Sequence, residues 1–388
     1  LMTRSSFSFY NADVLTPTGV ARAPLHIEKG AVASAPQSVA FDLDGFLVLP
    51  GIIDLHGDGF ERHLAPRRGA VKNLQTGFSA VQSELAAHGI TTACLAQFYS
   101  WEGGMRGPEF AEKFLQALQC FQQSSPLTLR AQLRFETHML DHYERFADLC
   151  IRFQVPYIVF NDHIPHAALA AGKRPPRLTG QALKSGRNPD AHLALLRQMH
   201  DARDQVPAAL LRLKTLLSEH VILGSHDDCS AQQRQIWAQM GVSICEFPET
   251  YEVAKQANAL GSPVVMGAPN LLRGGSHKGN ISVATLLAEG LCDALASDYH
   301  YPSLCQAALS LEADIGIAKA WALVSYRPAQ ILGLSDRGHL AIGQRADMLV
   351  LDRRSHAVEG TFAQGRPVHL TGGLAARMTG LVSVDAFC

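Results

Sequence analysis

Apolar positions in this chain gather into short runs that stop abruptly at polar residues. The sharpest case begins as Phe46-Leu47-Val48-Leu49, turns at Pro50-Gly51, resumes as Ile52-Ile53-Asp54-Leu55-His56 and then changes to Gly57-Asp58-Gly59. An apolar run bounded by turn residues predicts a strand buried on both faces. Residues i and i+2 of a strand share a side, so His56 and Asp58 are predicted to project together. The two glycines let the backbone come close to whatever those side chains hold. An imidazole and a carboxylate converging at a strand end make half a site for a divalent metal.

Further strand-like runs lie at 91–98, 127–135, 157–160, 221–225, 242–247, 264–267 and 294–297. Helix-like stretches at 110–122, 143–153, 191–218, 230–240, 283–288 and 304–325 fall between or after them. This alternation predicts an α/β chain built as a (β/α)8 TIM-type barrel, whose chemistry sits at the C-terminal strand ends. Shorter strand-like pieces near both termini, among them 7–10, 24–27, 39–41, 338–343 and 346–351, predict a small β-sandwich domain. Its expected extent is 3–49 plus 336–388, with the barrel over 50–335. The segment 164–190 reads as a long loop carrying Lys173, Arg174, Arg177, Lys184 and Arg187 against a lone acid, Asp190. Such a loop could close over a polyanion, although a charge-rich loop is more often simply solvated.

The strand ends share a chemistry. The third closes on Glu136-Thr137-His138, the fourth on Asn161-Asp162-His163 and the fifth on Ser225-His226-Asp227-Asp228. The sixth closes on Glu246-Phe247-Pro248 and the eighth on Ser297-Asp298-Tyr299-His300. One such residue after one strand is most often structural, whereas ligand types after five apolar strands predict a metal centre.

Bulk properties narrow the class without naming a reaction. The 388 residues can bury a large core, and a formal net charge of −1 gives nothing global to attract nucleic acid or an anionic membrane. The eight cysteines are scattered without a C-x-x-C pair, which predicts reduced thiols and a cytoplasmic location. No signal pattern opens the chain and no apolar run reaches membrane-spanning length. No nucleic acid and no membrane is expected as a partner, and a homo-oligomer is left open.

The segment Pro50-Gly51-Ile52-Ile53-Asp54-Leu55-His56 resembles the opening strand of the amidohydrolase superfamily. Gly343-Gln344-Arg345-Ala346-Asp347-Met348-Leu349-Val350-Leu351 resembles its closing β segment. More narrowly, His56-Gly57-Asp58, His63-Leu64-Ala65-Pro66-Arg67, Ser225-His226-Asp227-Asp228 and Met266-Gly267-Ala268-Pro269-Asn270 resemble its phosphonate-metabolism branch. So do Arg273-Gly274-Gly275-Ser276-His277 and Leu295-Ala296-Ser297-Asp298-Tyr299. That branch comprises the diphosphatases acting on α-D-ribose 1-methylphosphonate 5-triphosphate. The resemblance implies a small-molecule phosphorylated sugar as partner, two divalent ions, zinc with Mn²⁺ or Fe²⁺ as alternatives, and release of pyrophosphate to leave the 5-phosphate. It implies one metal on His56, Asp58 and Asp298, a bridging Glu136, and a second metal on His163 and His226. The superfamily often opens with His-x-His, whereas Asp58 takes the second place here. It also draws its histidines from strands five and six, which leaves Glu246 as an alternative to His163. His163-Ile164-Pro165-His166 departs from the Pro-Gly-Gln-type segment expected there.

A carboxylate at the metal and near the attacking water can take its proton, the role expected of Asp298. A triphosphate needs further cations and N–H donors. Arg273, Gly274, Gly275, Ser276, His277 and Lys278 after the seventh strand, and His63, Arg67 and Arg68 after the first, are the candidate substrate-binding residues. Two other readings keep the barrel. One cleaves a C–N bond at the same binuclear site, as an amidase, deacetylase or deaminase does. The other has lost catalysis and serves in an assembly.

Overall fold

A computed structural model describes residues 6–65, 73–275 and 279–380. The expected strands form one parallel sheet, in chain order: Ile52–Gly57, Ile90–Tyr99, Thr128–Glu136, Tyr157–Asn161, Ile222–His226, Ile244–Glu246, Val264–Gly267 and Ala294–Ala296. These are the eight strands of a (β/α)8 barrel, and the strand that ends at Glu136 is the third. Apart from the outermost ends their residues are buried, as expected of strands covered on both faces. Several of the helices between them start where the chain offers a cap. Ser230 accepts from Gln233 N, Thr250 from Val253 N and Ser282 from Thr285 N.

The chain divides into two compact units, the first Leu1–Cys94, Phe121–Leu129 and Val265–Cys388, the second Leu95–Cys120 and Arg130–Val264. In the first, the two terminal segments share a six-stranded sheet, in which Met348–Asp352 pairs antiparallel with Phe46–Pro50. A second sheet of four strands comes from the N-terminal segment alone. Phe7, Phe9, Val48, Met348, Val350 and Phe362 fill the core beside them. Each such side chain contributes about 1.5–3 kcal/mol by leaving water. The turn into the first barrel strand is fixed from two directions. Buried Trp321 donates through Nε1 to Pro50 O at 2.9 Å. A Cβ on Gly51 would lie 2.3 Å from Thr91 Oγ1, so only glycine lets this strand start so close to the second.

In the second unit, strands three to six pair in parallel register, with Glu136 opposite Asn161 and His226 opposite Glu246. Buried Arg234 ties helix Ala231–Gln239 to that sheet. It donates to Ser225 Oγ at 2.9 Å and Ile244 O at 3.2 Å, and pairs with Asp228 at 3.3 Å.

Four expectations are corrected. The stretch 191–218 is two helices, Pro189–Asp201 and Val206–Leu216, around the 3₁₀ turn Arg203–Gln205. Pro207 has no N–H and suits the first turn of a new helix. The stretch 304–325 breaks into Ser303–Ser310, Glu312–Ile315 and Ile317–Ala322, with Gly316 at φ +78°. The supposed loop 164–190 contains helices His166–Ala170 and Leu178–Ser185 and runs into the next at Pro189. Its Arg174 pairs with Asp190 at 3.5 Å, and Arg187 donates to Trp101 O at 2.5 Å. Residues 338–343 are irregular rather than a strand. Among the described residues, no helix is long and apolar enough to cross a membrane.

Candidate metal centre

In the first unit the backbone brings three predicted ligands to one place. Asp298 N donates to His56 O at 2.9 Å and Asp58 N donates to Asp298 O at 2.8 Å, so the exits of the first and eighth strands are locked together. Asp298 lies at φ +55°, a left-handed backbone that is uncommon for a non-glycine residue. Beneath them, buried Asp54 accepts from Ser297 N at 3.0 Å and from Ser297 Oγ at 2.5 Å. Burial raises the Asp54 pKa above the ordinary carboxylate range, and its bonds to Ser297 only partly offset this. Gly57 closes the group. A Cβ there would meet Asp54 Oδ2 at 2.6 Å, Tyr301 Cε1 at 2.7 Å and Ser297 Oγ at 2.8 Å.

The second unit supplies Glu136, His163, His226 and Glu246. The fully buried Glu136 carboxylate pairs with His163 Nδ1 and accepts from His163 N at 3.1 Å and from Trp101 Nε1 at 3.2 Å. Burial alone would raise its pKa, but the charge and hydrogen bonds of His163 outweigh burial and hold it below the ordinary range. Burial pulls His163 the other way, and Glu136 overcomes it to lift the imidazole. His226 accepts at Nε2 from Arg134 Nη2 at 3.2 Å, while its Nδ1 lies 3.3 Å from Asp227. Arg134 rests over the Phe98 ring, 4.0 Å from its centre. Glu246 Oε1 accepts from Gln132 at 2.9 Å and from the Tyr157 hydroxyl at 2.5 Å. Carboxylates and imidazoles at adjacent strand ends are ligand types that suit a divalent ion of the Zn²⁺, Mn²⁺ or Fe²⁺ kind, and a donor atom of His226 and one of Glu246 lie within 4.8 Å of each other. Trp101 and Arg134 were not singled out from sequence. An indole after strand two and a guanidinium inside an apolar strand were the available signals.

Four of the predicted substrate residues are described, and each has partners within the chain. His63 Nε2 meets Glu84 at 2.5 Å on helix Leu74–Ala87, an element not anticipated. Arg273 ends helix Ala268–Arg273 and donates to the Tyr299 hydroxyl. Gly274 N donates to Leu271 O and Gly275 N to Asn270 O, both at 3.1 Å, with Gly274 at φ +75°. The pair therefore forms a Schellman cap, and its N–H groups are engaged by the helix end instead of turning to an anion. Arg67, Arg68, Ser276, His277 and Lys278 lie outside the described residues.

The fold is shared with solved hydrolases. N-acetylglucosamine-6-phosphate deacetylase from Pasteurella multocida superposes with a TM-score of 0.62 at 12% identity, over 94% of this chain and 100% of that one. Beta-aspartyl dipeptidase from Fervidobacterium islandicum AW-1 gives 0.60 at 15% identity, over 95% and 98%. Barrel, terminal sheets and strand-end donors together are those of a metal-dependent hydrolase that shares the fold of these enzymes. No family model matches the chain. Alpha-D-ribose 1-methylphosphonate 5-triphosphate diphosphatase of Escherichia coli (strain K12) is 30% identical over 379 residues, 92% of this chain and 99% of that protein. This chain belongs to the family of that diphosphatase.

Proposed function

We propose that the protein hydrolyses α-D-ribose 1-methylphosphonate 5-triphosphate, or a related ribose 5-triphosphate, to the 5-phosphate and pyrophosphate. The observation that carries this reading is the 30% identity to the diphosphatase, which extends over 92% of the chain. Under it, His56, Asp58 and Asp298 would hold one divalent ion, and Glu136, His163 and His226 a second. The ions are zinc in this reading, because imidazole and carboxylate donors suit it.

Bound metal supplies Lewis acidity toward phosphoryl oxygens and a lowered pKa for nearby water. The chain's own residues do the rest. Asp298 takes the proton of the attacking water, and its backbone bonds to His56 and Asp58 fix where that carboxylate begins. Trp101 and the His163 N–H hold one oxygen of Glu136, which orients the carboxylate before any ligand arrives. Arg273, with Arg67, Arg68 and Lys278, supplies positive charge for a polyphosphate.

The test is pyrophosphate release. Purified protein is incubated with ribose 5-triphosphate esters, followed by phosphorus NMR, and in parallel with acyl amides, followed by amine release. Pyrophosphate from the triphosphates alone is expected. Amine release without pyrophosphate overturns the reading in favour of an amidase or deacetylase.

A further inference from the structure

A second group of metal-ligating side chains lies in the second unit and takes no part in the reading above. His138, Asp162 and His166 each offer one donor atom, and the three atoms lie within 4.8 Å of one another. Asp162 sits between the two rings. Its Oδ1 is 3.4 Å from His138 Nδ1, and its two oxygens are 3.2 and 3.1 Å from His166 Nε2. Donor atoms about 2.0–2.2 Å from a tetrahedral zinc stand roughly 3.3–3.6 Å apart, so these separations need little adjustment.

The surroundings hold the donors in place. Ile164 N donates to Asp162 Oδ1 at 3.1 Å, which sets the carboxylate. Thr137 Oγ1 lies 3.3 Å from His138 Nδ1. His166 Nδ1 faces His200 Nδ1 at 2.7 Å, so one of those two nitrogens carries a proton shared between the rings. When His166 carries it, its Nε2 presents a lone pair toward Asp162, the tautomer that an outer partner imposes on a ligating histidine. There is also a way in. His138 lines a cavity of about 340 Å³ with Trp101, Met139, Arg187 and Gln198, and Asp162 and His166 are partly open to solvent.

We infer that His138, Asp162 and His166 form a further divalent-cation site, with His200 as the partner that orients His166. Two imidazoles and one carboxylate leave a fourth position open, which suits Zn²⁺ or Co²⁺ with water or an anion as the last ligand. Without a cation, the His166 Nε2–H donates to Asp162 and the same contacts are satisfied. Binding therefore requires the other neutral tautomer of His166, with its proton on Nδ1 toward His200 and the lone pair of Nε2 toward the ion.

The test counts ions on the full chain. Wild type, His166→Ala and His138→Gln are stripped with chelator and dialysed against the same free Zn²⁺. Zinc per chain is then measured by mass spectrometry and the fold checked by circular dichroism. Each variant is expected to hold one equivalent less than wild type. His56→Ala, which touches only the proposed catalytic ligands, is expected to retain the equivalent that His166→Ala loses, so failure of one site does not imitate failure of the other. His200→Gln provides a second route should the others lose structure. It is expected to keep the stoichiometry and bind the last Zn²⁺ about 10–100-fold more weakly. Unchanged zinc content in folded His166→Ala and His138→Gln overturns the inference. So does wild-type affinity in His200→Gln.

Discussion

Asp54 and Glu136 are both carboxylates fully buried near the ends of barrel strands, yet their pKa values move in opposite directions. Asp54, in the first unit, meets neutral donors, the N–H and hydroxyl of Ser297, and burial wins. Glu136, in the second, meets an imidazole whose charge repays the loss of water. Burial thus sets the size of the problem, and the charge of the partner decides its sign. One region surrounds its buried carboxyl with N–H and hydroxyl donors, and the other sets its carboxylate against an imidazole.

The largest effect is expected from removing the charge at the second of these. Glu136→Gln keeps the shape and loses the charge. The rate of pyrophosphate release is expected to fall by more than the roughly 10–100-fold that loss of an outer partner costs a metal site. Stability in chelator gives a second readout. The lowered Glu136 pKa contributes stability above its unfolded value of about 4.3, lost as pH falls through the folded one. The raised His163 pKa contributes below about 6.5, lost as pH rises through its folded value. The gap between wild type and Glu136→Gln in denaturant titrations should therefore be widest between these limits. A constant gap from pH 4 to 9 would show that the pair does not form.

Next in size is a methyl group placed inside the Asp54–Ser297 cluster. Gly57→Ala sets a Cβ within 2.8 Å of Asp54, Tyr301 and Ser297, all held by their own packing. A loss on the order of 3 kcal/mol is expected, read as a shifted urea midpoint at unchanged slope. Gly180 in the second unit is the control. It lies inside helix Leu178–Ser185 with nothing within 4 Å of a Cβ, so Gly180→Ala should gain about 0.5–1 kcal/mol. Equal and small effects at both glycines would mean that the cluster is loose.

The barrel was legible because parallel strands covered on both faces read as unbroken apolar runs, and all eight appear close to where those runs predict. Strands such as Asp13–Thr16 and Gly19–Arg22 were missed because a four-residue strand with polar ends has no period to detect. The overlong helices were missed for a related reason. Gly316 and the Ala202 turn interrupt the chain without interrupting its apolar pattern. At the site, residue types were legible and partners were not. Nothing local in His163 or Glu136 says that they meet, and nothing in Gly274-Gly275 separates a helix cap from an anion nest. Those outcomes depend on how strands align and where a helix stops.

The smallest effect tests the comparison most directly. Asp54→Asn preserves size, and its amide can accept from Ser297 N while donating to Ser297 Oγ. Little is therefore lost in hydrogen bonds. What changes is the proton. With its folded pKa raised, Asp54 contributes stability that is complete below its unfolded value of about 3.9 and is lost as pH rises through the folded one. Wild type should lose that contribution over this window, while Asp54→Asn has no proton to lose there. Urea midpoints in chelator, taken from pH 4 to 8, should show the variant gaining on wild type as pH rises and then running parallel to it. The opposite slope, with wild type gaining, would mean that Ser297 stabilises the charge as His163 does for Glu136, and the contrast between the two regions would be lost.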